Sequence, residues 1–259
     1  MTEAVNQIRP DPVDEARRRL GFWLRHDAAR LLWPNRCLVC SAAGVDGLDL
    51  CAACVEALPW NREACARCAI PLPQAAEACG RCLQRAARHR GRGIAPPLDA
   101  VRAAFVYALP LDRLLPRFKF HHDLAAGALL AQLMAQALHD APRPDVLMPV
   151  PLHRARLRRR GFDQALELAR PLASALALRL ESNRLLRVRD TAAQSTLGAG
   201  SRRRNLRDAF AVRPGAPLPA HVVLIDDVMT TGATLQAAAL ALRRAGVARV
   251  EAWVCARAP

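Results

Sequence analysis

With 259 residues, 52% of them hydrophobic, the chain is long enough to bury one or two cores, so general disorder is excluded. Its formal net charge of +15 favours polyanionic partners, either nucleic acid or a phosphorylated small molecule, although a cation set that is almost all Arg also fits solvated surface. No apolar run reaches the roughly 18 residues that span a bilayer, and the polar start lacks a signal-peptide core, so a cytoplasmic protein without membrane insertion is expected.

In chain order, Leu20, Trp23, Leu24, Leu31 and Leu32 recur near helical spacing, which predicts an amphipathic helix within residues 1–33. Residues 34–93 are dominated by cysteine. Eight of nine cysteines form Cys-x-x-Cys pairs, namely Cys37/Cys40, Cys51/Cys54, Cys65/Cys68 and Cys79/Cys82, with successive pairs starting 14 residues apart. One such turn points two thiolates at one ion, and two turns complete a tetrahedral site, so eight thiols supply two structural Zn²⁺ sites. Pairing of neighbouring turns closes the shortest loops, which favours Cys37, Cys40, Cys51 and Cys54 for one ion and Cys65, Cys68, Cys79 and Cys82 for the other. Interleaved or nested pairing is the alternative. Cys255, alone in an apolar stretch, reads as core.

From residue 99 to 259 strand and helix patterns alternate. Strands are predicted over 101–107, 145–150, 221–226 and 248–256. Helices are predicted from the Leu111–Phe120 run, disturbed by Pro116, and from the Leu124–Asp140 run. Further helices are expected over 161–178, with Pro171 as a kink or break, and from the bend after 226 through Arg244. Residues 189–207 read as a polar loop. This alternation implies an α/β fold with a mainly parallel sheet and flanking helices.

The segment 222–234, VVLIDDVMTTGAT, carries the sharpest chemistry. An apolar strand delivers Asp226 and Asp227, followed by Thr230, Thr231, Gly232, Ala233 and Thr234 at the start of a helix. Hydroxyl donors, a glycine that permits close approach and a helix N-terminus together suit a phosphate, and the acids suit sugar hydroxyls, directly or through Mg²⁺. The segment resembles the phosphoribosyl pyrophosphate (PRPP) motif of type I phosphoribosyltransferases. That resemblance implies that Asp226 and Asp227 serve the ribose and Thr230–Thr234 hold the 5′-phosphate. It also implies that the loop of Pro149, Val150, Pro151 and Leu152 carries pyrophosphate, with His153, Arg154, Arg158, Arg159 and Arg160 as possible contacts. The 191–210 segment is similar to the loop that closes over PRPP in these enzymes, with Arg202, Arg203, Arg204 and Arg207 as phosphate candidates.

The order of parts resembles the ComF/GntX family of competence proteins, a double zinc ribbon followed by a type I phosphoribosyltransferase domain. The shared features are the cysteine array, Arg117-Phe118-Lys119-Phe120, Val150-Pro151-Leu152-His153, Arg160-Gly161-Phe162-Asp163-Gln164-Ala165, Arg203-Arg204-Asn205-Leu206 and Asp226–Thr234. His121-His122-Asp123 stands where the family usually has Arg-Gly-Asp, and Asp163 replaces a common Asn. Membership implies Mg²⁺-dependent phosphoribosyl transfer to an unidentified nitrogen acceptor, in the setting of DNA uptake. The alternative is a non-catalytic PRPP-sensing module, or one that meets single-stranded DNA or a competence helicase.

Overall fold

The computed structural model describes residues 35–90, 96–190 and 208–259. The predicted N-terminal helix and Arg202, Arg203, Arg204 and Arg207 lie outside the described residues. The chain divides into two compact units, residues 1–56 and 57–259. The first carries cysteines 37 to 54 and a short helix α1 (Ala52–Glu56). The second carries cysteines 65 to 82, helix α2 (Gly80–Arg90) and, among the described residues, all six strands.

Four strands, β1 (Ala100–Val106), β2 (Val146–Pro149), β5 (His221–Met229) and β6 (Arg249–Arg257), form one sheet in the order β1-β6-β5-β2, and every pairing is parallel. Their sequences are near-continuous apolar runs because both faces are covered. Val222 to Ile225 and Val250, Ala252, Trp253 and Val254 are all at most 1% exposed. Helices α3 (Leu111–His121), α4 (Leu124–Leu138), α5 (Arg154–Arg160), α6 (Gln164–Ala175) and α7 (Ala233–Arg244) connect or flank the strands. Gly127 lets α4 approach α3, since a Cβ there would stand 2.5 Å from the Phe118 ring.

Three departures from the sequence reading have local causes. First, Pro116 and Pro171 lie inside continuous helices. Each missing N–H falls on a carbonyl of the helix's first turn, at Asp112 and Glu167, both partly exposed. Second, the helix expected over 161–178 starts only at Gln164, as α6 capped by Asp163, and an unforeseen helix α5 precedes it and ends at Gly161, which adopts φ +77°. Third, the unforeseen strands β3 (Leu185–Arg187) and β4 (Phe210–Val212) pair antiparallel on either side of the long polar segment.

Candidate functional site

The two metal-ligand groups are built alike. In each, the residue after the second cysteine takes a positive φ, 65° at Ser41 and 53° at Ala69, and donates its N–H to the first cysteine's carbonyl. Cys37 N bonds Ala42 O as Cys65 N bonds Ile70 O, and Val55 N bonds Cys51 O as Leu83 N bonds Cys79 O. The backbone therefore repeats at an offset of 28 residues although the intervening side chains do not. Cys37, Cys40, Cys51 and Cys54 gather their sulfurs within 4.8 Å of one another, and so do Cys65, Cys68, Cys79 and Cys82, which bears out pairing of neighbouring turns.

Sulfur separations of 3.5 to 3.9 Å are far longer than the roughly 2.0 Å of a disulfide bond. They match the ~3.8 Å edge of a tetrahedron with Zn–S near 2.3 Å. In each group one thiol is acidified. Burial raises Cys37 and Cys79, but hydrogen bonds from backbone amides and neighbouring thiols outweigh it and bring them to about 6 and about 7. The donor set fits Zn²⁺, held in closed structural sites. Cys255 is fully buried in β6, and burial raises its thiol, in keeping with a core role.

The second candidate site lies at the carboxyl edge of the parallel sheet, where α/β folds bind ligands. β2 and β5 are in register with Pro149 beside Ile225, so the 149–152 loop and the two acids emerge side by side. β5 runs three residues past Asp226, to Met229. Beyond it Thr230 is exposed, and Gly232 takes φ +73° to start α7, whose N-terminus no side chain caps. Inside the bend the bonds are local, Ala233 N to Thr231 Oγ1 and Gln236 N to Gly232 O. Among the described residues no distant group takes the amides of Thr230, Thr231 or Gly232.

Asp227 is buried and paired with Lys119 Nζ at 2.6 Å. Asp226 is pushed up to about 8, first by burial and then by the Asp227 carboxylate, with Lys119 partly offsetting both. Asp163 caps α6 through Leu166 N (3.3 Å) and also accepts from Leu152 N (2.9 Å). Its carboxyl is raised, chiefly by burial. Val150 N goes to Ile225 O, so both non-proline amides of the 149–152 loop are engaged. The positive charge near this loop comes from side chains instead. The Arg160 guanidinium stacks 5.6 Å over the Phe120 ring and senses Asp227 and Asp163. Arg187, on β3, senses Asp226, Asp190 and Asp163, and Arg156 approaches Asp190 at 4.0 Å.

The structure thus brings together Asp226, Asp227, the bend and the 149–152 loop. Of the cations named from sequence, Arg160 joins them and His153 caps α5 through Nδ1, whereas Arg154, Arg158 and Arg159 point to solvent. Sequence reasoning missed Lys119, Arg156, Arg187 and Asp163 as site residues. The i, i+4 spacing of Arg156 and Arg160 was an available signal. The pairing of Lys119 with Asp227 spans 108 positions and left none. His121 and His122 form no metal site among the described residues; His122 is the left-handed C-cap of α3, at φ +57°.

Comparison with known proteins agrees with this geometry. Residues 28–83 match the double zinc ribbon domain and residues 124–259 the phosphoribosyl transferase domain. The chain is 37% identical to competence protein F of Haemophilus influenzae over 68% of its own length and 81% of that protein's. It is 38% identical to the DNA utilization protein YhgH of Salmonella typhi, covering 62% and 74%, and 28% identical to competence protein ComFC of Streptococcus pneumoniae, covering 60% and 67%. With a double zinc ribbon, a phosphoribosyl transferase domain and relatives alike over most of their length, the chain belongs to the ComF family of competence proteins.

Proposed function

We propose that the chain binds PRPP with Mg²⁺ at the carboxyl edge of its parallel sheet and transfers the phosphoribosyl group to a nitrogen acceptor. The observation that carries this reading is the side-by-side exit of the 149–152 loop and the Asp226-Asp227 pair, fixed by the Pro149–Ile225 register. The bend from Thr230 to Thr234 would take the 5′-phosphate with the amides of Thr230, Thr231 and Gly232, its hydroxyls and the α7 N-terminus. Asp226 and Asp227 would take the ribose hydroxyls and hold Mg²⁺, since two adjacent carboxyl groups supply the oxygen ligands that a hard divalent cation prefers. That ion supplies charge neutralisation to the departing pyrophosphate. Because the 149–152 amides are engaged, Arg156 and Arg160 meet the pyrophosphate oxygens, and Arg is suited to bidentate contact.

In the reaction the acceptor lone pair forms a bond to ribose C1 as the C1–O bond to pyrophosphate breaks, and that electron pair leaves on the pyrophosphate oxygen. The acceptor's proton passes to solvent, because among the described residues no side chain at the site is placed as a base. The chain's residues act by positioning and by charge. Pyrophosphate release from PRPP and Mg²⁺ with a panel of nucleobases and amines tests turnover; binding without release from any acceptor would assign a PRPP-sensing role instead. The names of the relatives support a setting in DNA uptake or utilisation. Among the described residues no helix is long and apolar enough to cross a membrane.

A second reading adds single-stranded DNA, or a helicase bearing it, as a partner. Arg154, Arg158 and Arg159 turn outward from α5 in a chain of net charge +15. Affinity for single-stranded DNA should fall steeply with salt; a flat response between low and moderate salt would exclude this mode.

A further inference from the structure

Arg257 ends β6 with 3% of its surface exposed. Its Nε donates to Cys68 O at 3.0 Å, and its Nη1 donates to Met229 O at 3.1 Å and to Ala258 O. Among the described residues no carboxylate lies within ion-pair distance of it, although a buried guanidinium without an opposite charge is costly. Its neighbours are other cations and sulfur: Arg81, Arg85, Cys68, Cys79 and Cys82 line the same small cavity. Thr231 of the phosphate bend lines it too. Met229 closes the chain of contacts, because its Cε fills the space where a Gly232 Cβ would stand, 2.5 Å away.

We infer that Arg257 is a positioning residue that makes the phosphate bend depend on the second metal centre, Cys65, Cys68, Cys79 and Cys82. Four thiolates around one Zn²⁺ carry a formal charge of −2, which is the counter-charge this guanidinium lacks from any acid. Protonated thiols would not supply it, and the grip of Arg257 on Cys68 O and Met229 O would loosen. This inference rests on the bend binding the PRPP phosphate, as proposed above. Coupling of this kind is reciprocal, so PRPP must tighten one zinc ion by the factor that the ion tightens PRPP.

The test uses the full zinc-loaded chain. Mg²⁺–PRPP affinity is measured by calorimetry, then zinc affinity by competition with a chelating chromophore, with and without saturating PRPP. PRPP should raise the affinity of one of the two ions at least tenfold, and a Cys54→Ser chain should retain that protected ion. Arg257→Met should abolish the protection and weaken PRPP at least tenfold with both ions bound and the melting temperature held, and Arg257→Lys should recover part of each. If PRPP binds but protects neither ion, or if Arg257→Met binds it as tightly as the wild type, the inference is overturned while the phosphate site stands. If the wild-type chain binds no PRPP, the site reading falls and this inference with it. Should Arg257→Met not fold, the protection measurement on the wild type decides alone.

Discussion

The charge state of Asp226 sets how the site meets its ligand. Its folded-state pKa of about 8 lies above the ordinary carboxylate value near 4, so folding favours its protonated form. The stability this brings is complete below about pH 4 and is lost as pH rises through 8. A ligand that needs the ionised carboxylate must displace that proton. Mg²⁺–PRPP affinity should therefore rise about tenfold per pH unit from 6 toward 8 and level off above, with proton release visible in buffers of differing ionisation enthalpy. Asp226→Asn should flatten the profile. Lys119→Met removes the cation that lowers Asp226, so the midpoint should move above 8 in that variant. A midpoint unmoved by the loss of Lys119 would show that burial and the Asp227 carboxylate set the shift without it.

At the scale of elements, Asp163 joins the α6 start to the 149–152 loop. Asp163→Ala removes both bonds and should cost about 1–2 kcal/mol in urea unfolding. An unchanged midpoint would mean that neither bond contributes. Gly232→Ala should weaken PRPP binding through its φ of +73° and the collision with Met229 Cε. The same comparison shows what the chain discloses in advance. The strand from His221, its acids and the bend are contiguous, and apolar pattern, Gly and Thr marked them directly. β3 and β4 are three residues each, too short to show a period, and they pair with one another rather than with the main sheet. Gly161 announced its helix end only through its φ.

For the whole molecule, the regular cysteine spacing foretold two four-sulfur clusters and favoured their membership, because neighbouring turns close the shortest loops, while interleaved pairing stayed open until the sulfurs were placed. It did not foretell that the two clusters fall in different compact units, the second with the sheet. That division follows from long-range contacts such as Val101 N to Ala66 O and Arg257 to Cys68 O, which leave no mark in spacing. Native mass spectrometry should find two Zn²⁺ per chain, and one after Cys54→Ser. Removal of both should lower the melting temperature, since the binding energy of a structural ion is folding energy.

The most direct measurement is calorimetric titration of Mg²⁺–PRPP into the zinc-loaded chain and into its Asp226→Asn, Asp227→Asn double variant. A wild-type Kd of roughly 1 μM to 1 mM, the range in which enzymes usually meet their substrates, and at least a hundredfold loss in the variant are predicted. Equal affinities, or no heat of binding to the wild type, would contradict the assignment of the sheet edge as a phosphoribosyl site.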